Sequence, residues 1–145
     1  MSIVKLSNNG VKNATAFGSG VTSLGSMVFI KKLTASSSST LSFVDGTSSV
    51  VLDNTYKEYL FTFKNIHPEE DNRNLGMTMS IDGGSNYNVA KTTTLFFAYH
   101  DEGDSGTGLG YQAAKDLAQG TGNQMILVET GNDNDQCASG YLRLF

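Results

Sequence analysis

Apolar and polar residues alternate with a period of two along several short segments of this 145-residue chain. The clearest case is Leu75–Ile81, sequence LGMTMSI, in which every second residue is a large apolar one. Successive side chains of a strand point to opposite faces, so this pattern predicts a strand with one apolar face. The same alternation recurs in KEYLFTFKNI and in the last residues, Ala138–Phe145. The chain is therefore restricted to folds built from sheets.

The segment Asp82-Gly83-Gly84-Ser85-Asn86 directly follows the clearest strand. Paired glycines accept the positive φ angles of tight turns, so they predict the tip of a β-hairpin. The partner strand would be Tyr87–Lys91 or the following KTTTLFFAY. No second group of chemically active residues accompanies the loop, and we interpret it as a corner of the chain.

Further strand patterns lie on both sides of that loop. SMVFIKKLT and STLSFV read as strands joined by a serine-rich loop, and Val50–Leu52 as a short strand. Leu95–His100 suits a strand covered on both faces, Tyr111–Ala118 a short helical turn or a strand, and Met125–Glu129 a strand. With turn residues about every 8–15 positions, roughly seven or eight strands predict an all-β fold. The favoured architecture is an antiparallel β-sandwich, jelly-roll-like.

Residues 1–25 lack both a helical stripe and sustained alternation, so the predicted organisation is an extended N-terminal arm, 1–25, before a β-sandwich domain, 26–145. Apolar side chains would be wasted on an arm that contacts nothing. We therefore expect the arm to bind a partner through Ile3, Val4, Leu6, Val11 and Phe17.

Charge is distributed unevenly along the chain. Residues 1–44 hold four lysines and no acid, whereas residues 45–145 hold six basic and all 14 acidic residues, for net charges of +4 and −8. So acidic a body argues against nucleic acid as a partner. The basic front could dock on an acidic neighbour, including another copy of the chain, or its lysines could be ordinary solubilising charges.

Export and membrane signals are missing from the sequence. No apolar run approaches the roughly 20 residues of a membrane span, and no basic region precedes an apolar one at the N-terminus, so Sec-type export is not expected. The single Cys137 cannot form an internal disulfide and reads as a buried or half-buried residue, or else an intermolecular link. Phe145 ends the chain inside a predicted strand, as if the chain were held there or the natural polypeptide continued.

Short motifs with catalytic associations do not assemble into a site. Gly103–Gly106 spells GDSG, the surroundings of the nucleophile in trypsin-like proteases, and His100 lies nearby, but no other part of that pattern is present. GTGLG has the wrong spacing for a dinucleotide fingerprint, and its glycines read as loop glycines. His67 and His100 do not have zinc-site spacing.

Two oxygen-rich clusters, Asp101–Asp104 and Asn132–Asp135, could supply calcium ligands. Aspartate and asparagine also populate turns because they accept left-handed backbone and cap their own amides, and this interpretation is favoured. The sequence therefore predicts no catalytic, cofactor-binding or metal residues, no cofactor and no enzyme.

The succession of segments also resembles a known kind of protein. The segments are FIKKLTASSSSTLSFVDG, NTYKEYLFTFKNIHPEEDN, SIDGGSNYN, FFAYHDEGDSGTGLGYQ, DLAQGTGN and GNDNDQCASGYLRLF. In this order they resemble a module of marine bacteriophages, notably cyanophages, found in tail fibre-like, head fibre and capsid-surface proteins. The resemblance spans Phe29 to the end of the chain, and a short virion-attaching segment at the front fits it.

This resemblance implies a virion structural protein, assembled in the host bacterial cytoplasm, that anchors to capsid or tail subunits. Its expected partners are other virion proteins and further copies of itself, with neither nucleic acid nor membrane. The alternative is a module that binds a host-surface carbohydrate or receptor through loops 82–86 and 101–110. An enzyme acting on cell-wall polymer ranks last, because no paired carboxylates are identifiable.

Overall fold

The computed structural model describes residues 27–145, and within them the chain forms eight strands and one short 3-10 helix. Every pair of strands is antiparallel, so the predicted all-β fold is confirmed. The elements are β1 (Tyr59–Ile66), β2 (Arg73–Met77), β3 (Lys91–Thr93), β4 (Phe96–His100), β5 (Thr107–Tyr111), the 3-10 helix (Ala113–Lys115), β6 (Leu117–Gly120), β7 (Gln124–Thr130) and β8 (Ala138–Leu144).

The strand pairings are nested. β4 pairs with β5, β3 with β6, β2 with β7 and β1 with β8, which gives four sheets of two strands each. The chain thus runs outward through β1–β4, reverses at Asp101–Gly106, and pairs with itself in reverse order on the way back. We call Asp101–Gly106 the tip turn, and β4, the tip turn and β5 together the distal hairpin.

Regular register is confined to the two ends of this nested series. The distal hairpin is unbroken from the pair Phe96–Tyr111 to the pair His100–Thr107. β1 and β8 are regular from Tyr59–Leu144 to Phe63–Gly140 and then shift before Ile66. β2–β7 and β3–β6 each contain register shifts. Such irregularities bend the strands and increase their twist.

Hydrogen bonds also join the outgoing half of the chain (β1–β4) to the returning half (β5–β8) between the ladders. Between β3–β6 and the distal hairpin, the Leu95 amide donates to the Asp116 carboxylate at 3.0 Å, and the Gln112 amide donates to the Leu95 carbonyl at 2.8 Å. Between β1–β8 and β2–β7, the Asn132 side-chain amide donates to the Glu69 carbonyl at 3.2 Å. These bonds keep each pair of connecting segments in step.

One end of the series has a small apolar core. Directly paired residues share a face, so Tyr59, Phe61 and Phe63 lie on the same face as Leu142 and Leu144. The Phe43 ring packs edge-to-face on Phe61 at 5.4 Å, and the Tyr56 ring packs likewise on Tyr59 at 5.9 Å. Val50 and Tyr59 are the buried apolar residues of the described chain. We call β1, β8 and the segment 43–56 the covered end.

The strands predicted in SMVFIKKLT, STLSFV and Val50–Leu52 are wrong within the described residues, because 27–58 contains no strand. Turn bonds occupy this segment instead. The Gly46 amide donates to the Val50 carbonyl at 3.0 Å, and the Val50 amide donates to the Thr47 carbonyl at 3.1 Å. Asp45 accepts the Leu52 amide at 2.8 Å. Those amides are no longer available to a ladder.

The predicted hairpin around Asp82–Asn86 is also wrong in its pairing. Of the alternating segment Leu75–Ile81, only Leu75–Met77 lies in a strand, β2, and the partner of β2 is β7 rather than Tyr87–Lys91. Residues 78–90 contain no strand. The glycines do take the predicted conformation, with φ of +69° at Gly83 and +83° at Gly84. A local pattern located the turn but could not identify a partner some 50 residues away.

Three further segments differ from or refine their predictions. Thr107–Tyr111 is a strand, not part of a loop, and Tyr111–Ala118 contains the 3-10 helix followed by the start of β6. β4 is not covered on both faces, since 63% of Phe96 is exposed. The last strand is confirmed as Ala138–Leu144.

No sheet of the described chain exceeds two strands, so the β-sandwich stays a prediction. The chain divides between Ile30 and Lys31. None of the helical structure in 27–145 is long and apolar enough to cross a membrane.

Candidate functional site

The tip turn is built from its own polar groups. The Asp101 amide donates to the Gly106 carbonyl at 2.9 Å, and the Asp104 amide donates back to the Asp101 carbonyl at 3.2 Å. Asp101 also accepts the Ser105 amide at 2.7 Å and the Ser105 hydroxyl at 2.6 Å. These bonds, with the Ser105 hydroxyl first, lower the pKa of Asp101 because they favour its ionised form.

The GDSG motif does not form a catalytic triad here. A triad places histidine between the carboxylate and the serine hydroxyl. In the tip turn the Ser105 hydroxyl donates to Asp101, while the His100 Nε2 atom lies 2.9 Å from the Asp104 carboxylate. The serine and the histidine are therefore engaged by two different aspartates, and the motif serves the geometry of the turn.

The loop 80–86 is also stabilised from within. Asp82 accepts the Ser80 hydroxyl at 2.6 Å, the Asn86 amide at 2.8 Å and the Asn86 side-chain nitrogen at 2.7 Å. Together these bonds lower the pKa of Asp82 to about 2. Gly84 approaches the covered end so closely that a β-carbon there would lie 3.0 Å from the Val44 side chain. The loop is thus held by its own hydrogen bonds to Asp82 and by the close approach of Gly84 to Val44.

The second oxygen-rich segment faces the loop that follows β1. The His67 ring nitrogen lies 2.9 Å from the Asp133 carbonyl, and the Gln136 amide donates to the same carbonyl at 2.9 Å. A shallow depression beside it is lined in part by Asp71, Glu129 and Cys137. Among residues 27–145, no three histidine, cysteine or acidic side chains are grouped as metal ligands would be.

The distal hairpin has two unlike faces. On the first, Phe97 pairs with Gly110 and Tyr99 with Gly108. The two rings stack at 5.7 Å with an angle of 15° between their planes. They lie over the strand opposite, since a β-carbon at Gly110 would be 3.4 Å from the Phe97 ring and one at Gly108 would overlap the Tyr99 ring. Aromatic rings placed across glycines are a recognised way of stabilising a sheet.

The second face of the distal hairpin is uncovered. It carries the pairs Phe96–Tyr111, Ala98–Leu109 and His100–Thr107, and all six side chains are exposed. The exposed fractions are 63% for Phe96, 73% for Leu109 and 59% for Tyr111. We call these six residues the bare face. An exposed apolar cluster rimmed by polar residues is typical of an interaction surface.

Tyr111 marks the base of the bare face. Its hydroxyl donates to the Asp116 carboxylate, and this bond raises the pKa of the phenol because only the protonated form can donate it; the negative charge of Asp116 acts in the same direction. The other Asp116 oxygen accepts the Leu95 amide. Asp116 thus fixes the base of the bare face, while Asp101 organises the turn at the opposite end.

Sequence reasoning missed the bare face. The signal in the sequence was that glycine occupies every second position at Gly106, Gly108 and Gly110. On the preceding segment, Phe97 and Tyr99 are also two residues apart, and in the structure they pair with Gly110 and Gly108. Read as loop glycines, Gly108 and Gly110 concealed β5, and the prediction was wrong for both of them. Once β5 is recognised, Leu109 and Tyr111 must point away from the glycine side.

The remaining predicted positions have different outcomes. The partner-binding candidates Ile3, Val4, Leu6, Val11 and Phe17 lie outside the described residues. Cys137 is exposed, so its prediction as a buried or half-buried residue is wrong.

Comparison of the chain with protein-family models, with curated proteins and with solved structures found no match.

Proposed function

We propose that this chain is a bacteriophage virion structural protein, a fibre or capsid-surface component that anchors to other virion subunits. The observation that carries the proposal is the bare face, a cluster of Phe96, Leu109 and Tyr111 exposed on a two-stranded hairpin. Function would then consist of surface burial against neighbours, through the front arm and the β-domain. The proposal includes no cofactor, no enzymatic step, and neither nucleic acid nor membrane as partner.

Energetics favour a partner for this surface. Burying a large apolar side chain contributes about 1.5–3 kcal/mol, and the bare face carries three side chains whose contribution is not realised within the hairpin. Isolated two-stranded hairpins are marginally stable in water, and a third strand or a packed layer is the usual remedy. Assembly on a particle supplies both kinds of contact.

The predicted sandwich, jelly-roll-like, belongs to the same proposal. Each sheet of residues 27–145 has only two strands, and in this proposal neighbouring subunits supply a second layer, with a homo-oligomer as the simplest source. In this proposal the protein is made in the host bacterial cytoplasm and resides in the virion.

One observation favours a second candidate, a module that binds a host-surface carbohydrate or receptor. Tyr99 is 52% exposed and pairs with Gly108 close to the tip turn, where its ring could stack on a sugar. Against it, the carboxylates of Asp82 and Asp101 in the two candidate loops are already bonded within those loops.

Deletion of residues 2–25 separates the two candidates. For the structural protein, we expect the deleted chain to be lost from purified particles, and Leu109→Asp on the bare face to reduce incorporation as well. Leu60→Asp is the matched control, because Leu60 is also exposed but lies on the covered end. Normal incorporation of the deleted chain, together with measurable glycan binding, would instead support the receptor-binding module.

A further inference from the structure

We infer that the bare face binds the leading segment of a second copy of this chain, residues 2–12, sequence SIVKLSNNGVK. This deepens the proposed function, on which it rests, by naming the partner of the bare face. The contact would be heterologous, since a segment of one copy meets a different surface of the next. Heterologous contacts between identical subunits produce closed rings or open filaments.

The chemistry of the bare face defines what it can accept. Its six residues carry no acidic or basic side chain apart from His100, which already contacts Asp104. At one end it meets the tip turn, where Glu102 offers a carboxylate, and Asp101 and Asp104, which are bonded to Ser105 and His100, add negative charge. A complementary partner is therefore a short apolar segment with a cation placed to reach the tip turn.

The leading segment has this chemistry. Ile3, Val4 and Leu6 are apolar, and Lys5 lies among them. Residues 1–44 contain no acid, so nothing in the segment would be repelled by the tip turn. A bare face of a second copy is a poorer occupant, because its six residues include no lysine or arginine to meet the carboxylates of the tip turn.

The expected contact is small. Phe96, Leu109 and Tyr111 are each exposed by 59% or more. With aromatic side chains of about 150–250 Å², the three together offer on the order of 400 Å², about half of one partner's share of a standard interface. Such a contact forms weakly between single copies and is strengthened when several copies associate.

Charge exchange on the full chain tests the inference. Size-exclusion chromatography with light scattering over a concentration series gives the self-association constant of the unchanged protein. We expect Lys5→Glu and Glu102→Lys each to weaken it about tenfold, and the double variant to recover most of the loss, because the exchanged charges attract again. The synthetic peptide SIVKLSNNGVK should compete with association of the unchanged chain.

Matched apolar variants locate the contact. Leu109→Asp should abolish association, whereas Leu60→Asp should leave it unchanged, since Leu60 belongs to the covered end. A chain that stays monomeric at every concentration, or a double charge variant no better than its singles, overturns the inference. Particle incorporation is measured separately, so a monomeric chain that still enters particles would refute this contact and leave the proposed function standing.

Discussion

The covered end and the distal hairpin have the same strand arrangement, but within residues 27–145 only the covered end has residues packed over its aromatic face. Both consist of two antiparallel strands in regular register with aromatic residues at alternate positions. At the covered end, the Phe43 and Tyr56 rings pack on aromatic rings of β1, and Val50 is buried. At the distal hairpin, nothing within the described residues lies over Phe96 and Leu109.

This difference shows that strand alternation alone does not make a core. The apolar face of β1 becomes a core because an irregular segment, 43–56, supplies the second layer. The distal hairpin stabilises one of its faces itself, by placing Phe97 and Tyr99 over glycines, and leaves the other for a partner. The chain therefore stabilises one hairpin face with a separate segment, 43–56, and another with aromatic rings placed over glycines of the same hairpin.

The largest test of the comparison removes one aromatic ring from each region. Tyr59 is buried, and its hydroxyl donates to the Asp53 carbonyl. We expect Tyr59→Ala to lower the free energy of unfolding by about 3 kcal/mol, through the cavity and the lost transfer energy. Phe96→Ala should change it by less than about 0.5 kcal/mol in the dissociated chain, because most of that ring is already in water.

Urea denaturation followed by circular dichroism measures both values, at protein concentrations low enough to prevent self-association. Equal losses for Tyr59→Ala and Phe96→Ala would mean that the two regions are covered to the same extent, and would remove the basis of the comparison.

A medium-sized loss of stability is expected where the Tyr99 ring packs over Gly108 in the distal hairpin. Gly108→Val places branched carbons where the Tyr99 ring lies, so the ring must swing away. We expect a loss of about 1 kcal/mol and a changed chemical environment for Tyr99. Gly103→Ala is the control, because its added carbon has only the Ser105 hydroxyl within 4 Å, at 3.9 Å. Aromatic proton shifts in NMR spectra report the ring; an unmoved Tyr99 in Gly108→Val contradicts the packing.

The smallest effect concerns the two aspartate turns, one beside each region. Asp82 should titrate at about 2 and Asp101 below the ordinary value of 3.8, because serine hydroxyls and backbone amides bond their ionised forms. Since each folded pKa is depressed, the stabilisation is present above the unfolded value and is lost as pH falls through the folded one. Carboxyl-carbon NMR shifts give both midpoints.

Asn86→Ala removes the side-chain bond to Asp82 and keeps the bond from the backbone amide of residue 86, so it should raise the pKa of Asp82 part of the way toward 3.8 without moving that of Asp101. A common shift of both aspartates would show that the two turns are not independent.

The sequence predicted the class of the fold and missed its pairing. Alternation identified β1, the end of β2 (Leu75–Met77) and β8, because period-two patterning is a local property. It could not show that β2 pairs with β7, because register shifts and interruptions between the two halves obey no local rule. The segment 27–58 has strand-like composition, yet turn bonds such as that from Gly46 to Val50 override it.

The candidate site was predictable in part. That Asp82–Asn86 is a structural corner follows from its glycines and is consistent with the bonds to Asp82. The bare face was not found, because Leu109 and Tyr111 lie among glycines that look like loop residues. Pairing Gly108 with Tyr99 requires knowledge of the strand opposite, which only the three-dimensional structure provides.

Nested pairing also sets the order in which the strand pairs can form while the chain is being synthesised. The distal hairpin needs only the tip turn between its strands, so it can close as soon as β5 emerges. β1 must wait for β8, the last strand within residues 27–145, and meanwhile its aromatic sequence YLFTFKNI has no ladder partner. Long-range closure of this kind is slow and leaves a strand open to aggregation, so β1 is most vulnerable between its own synthesis and that of β8.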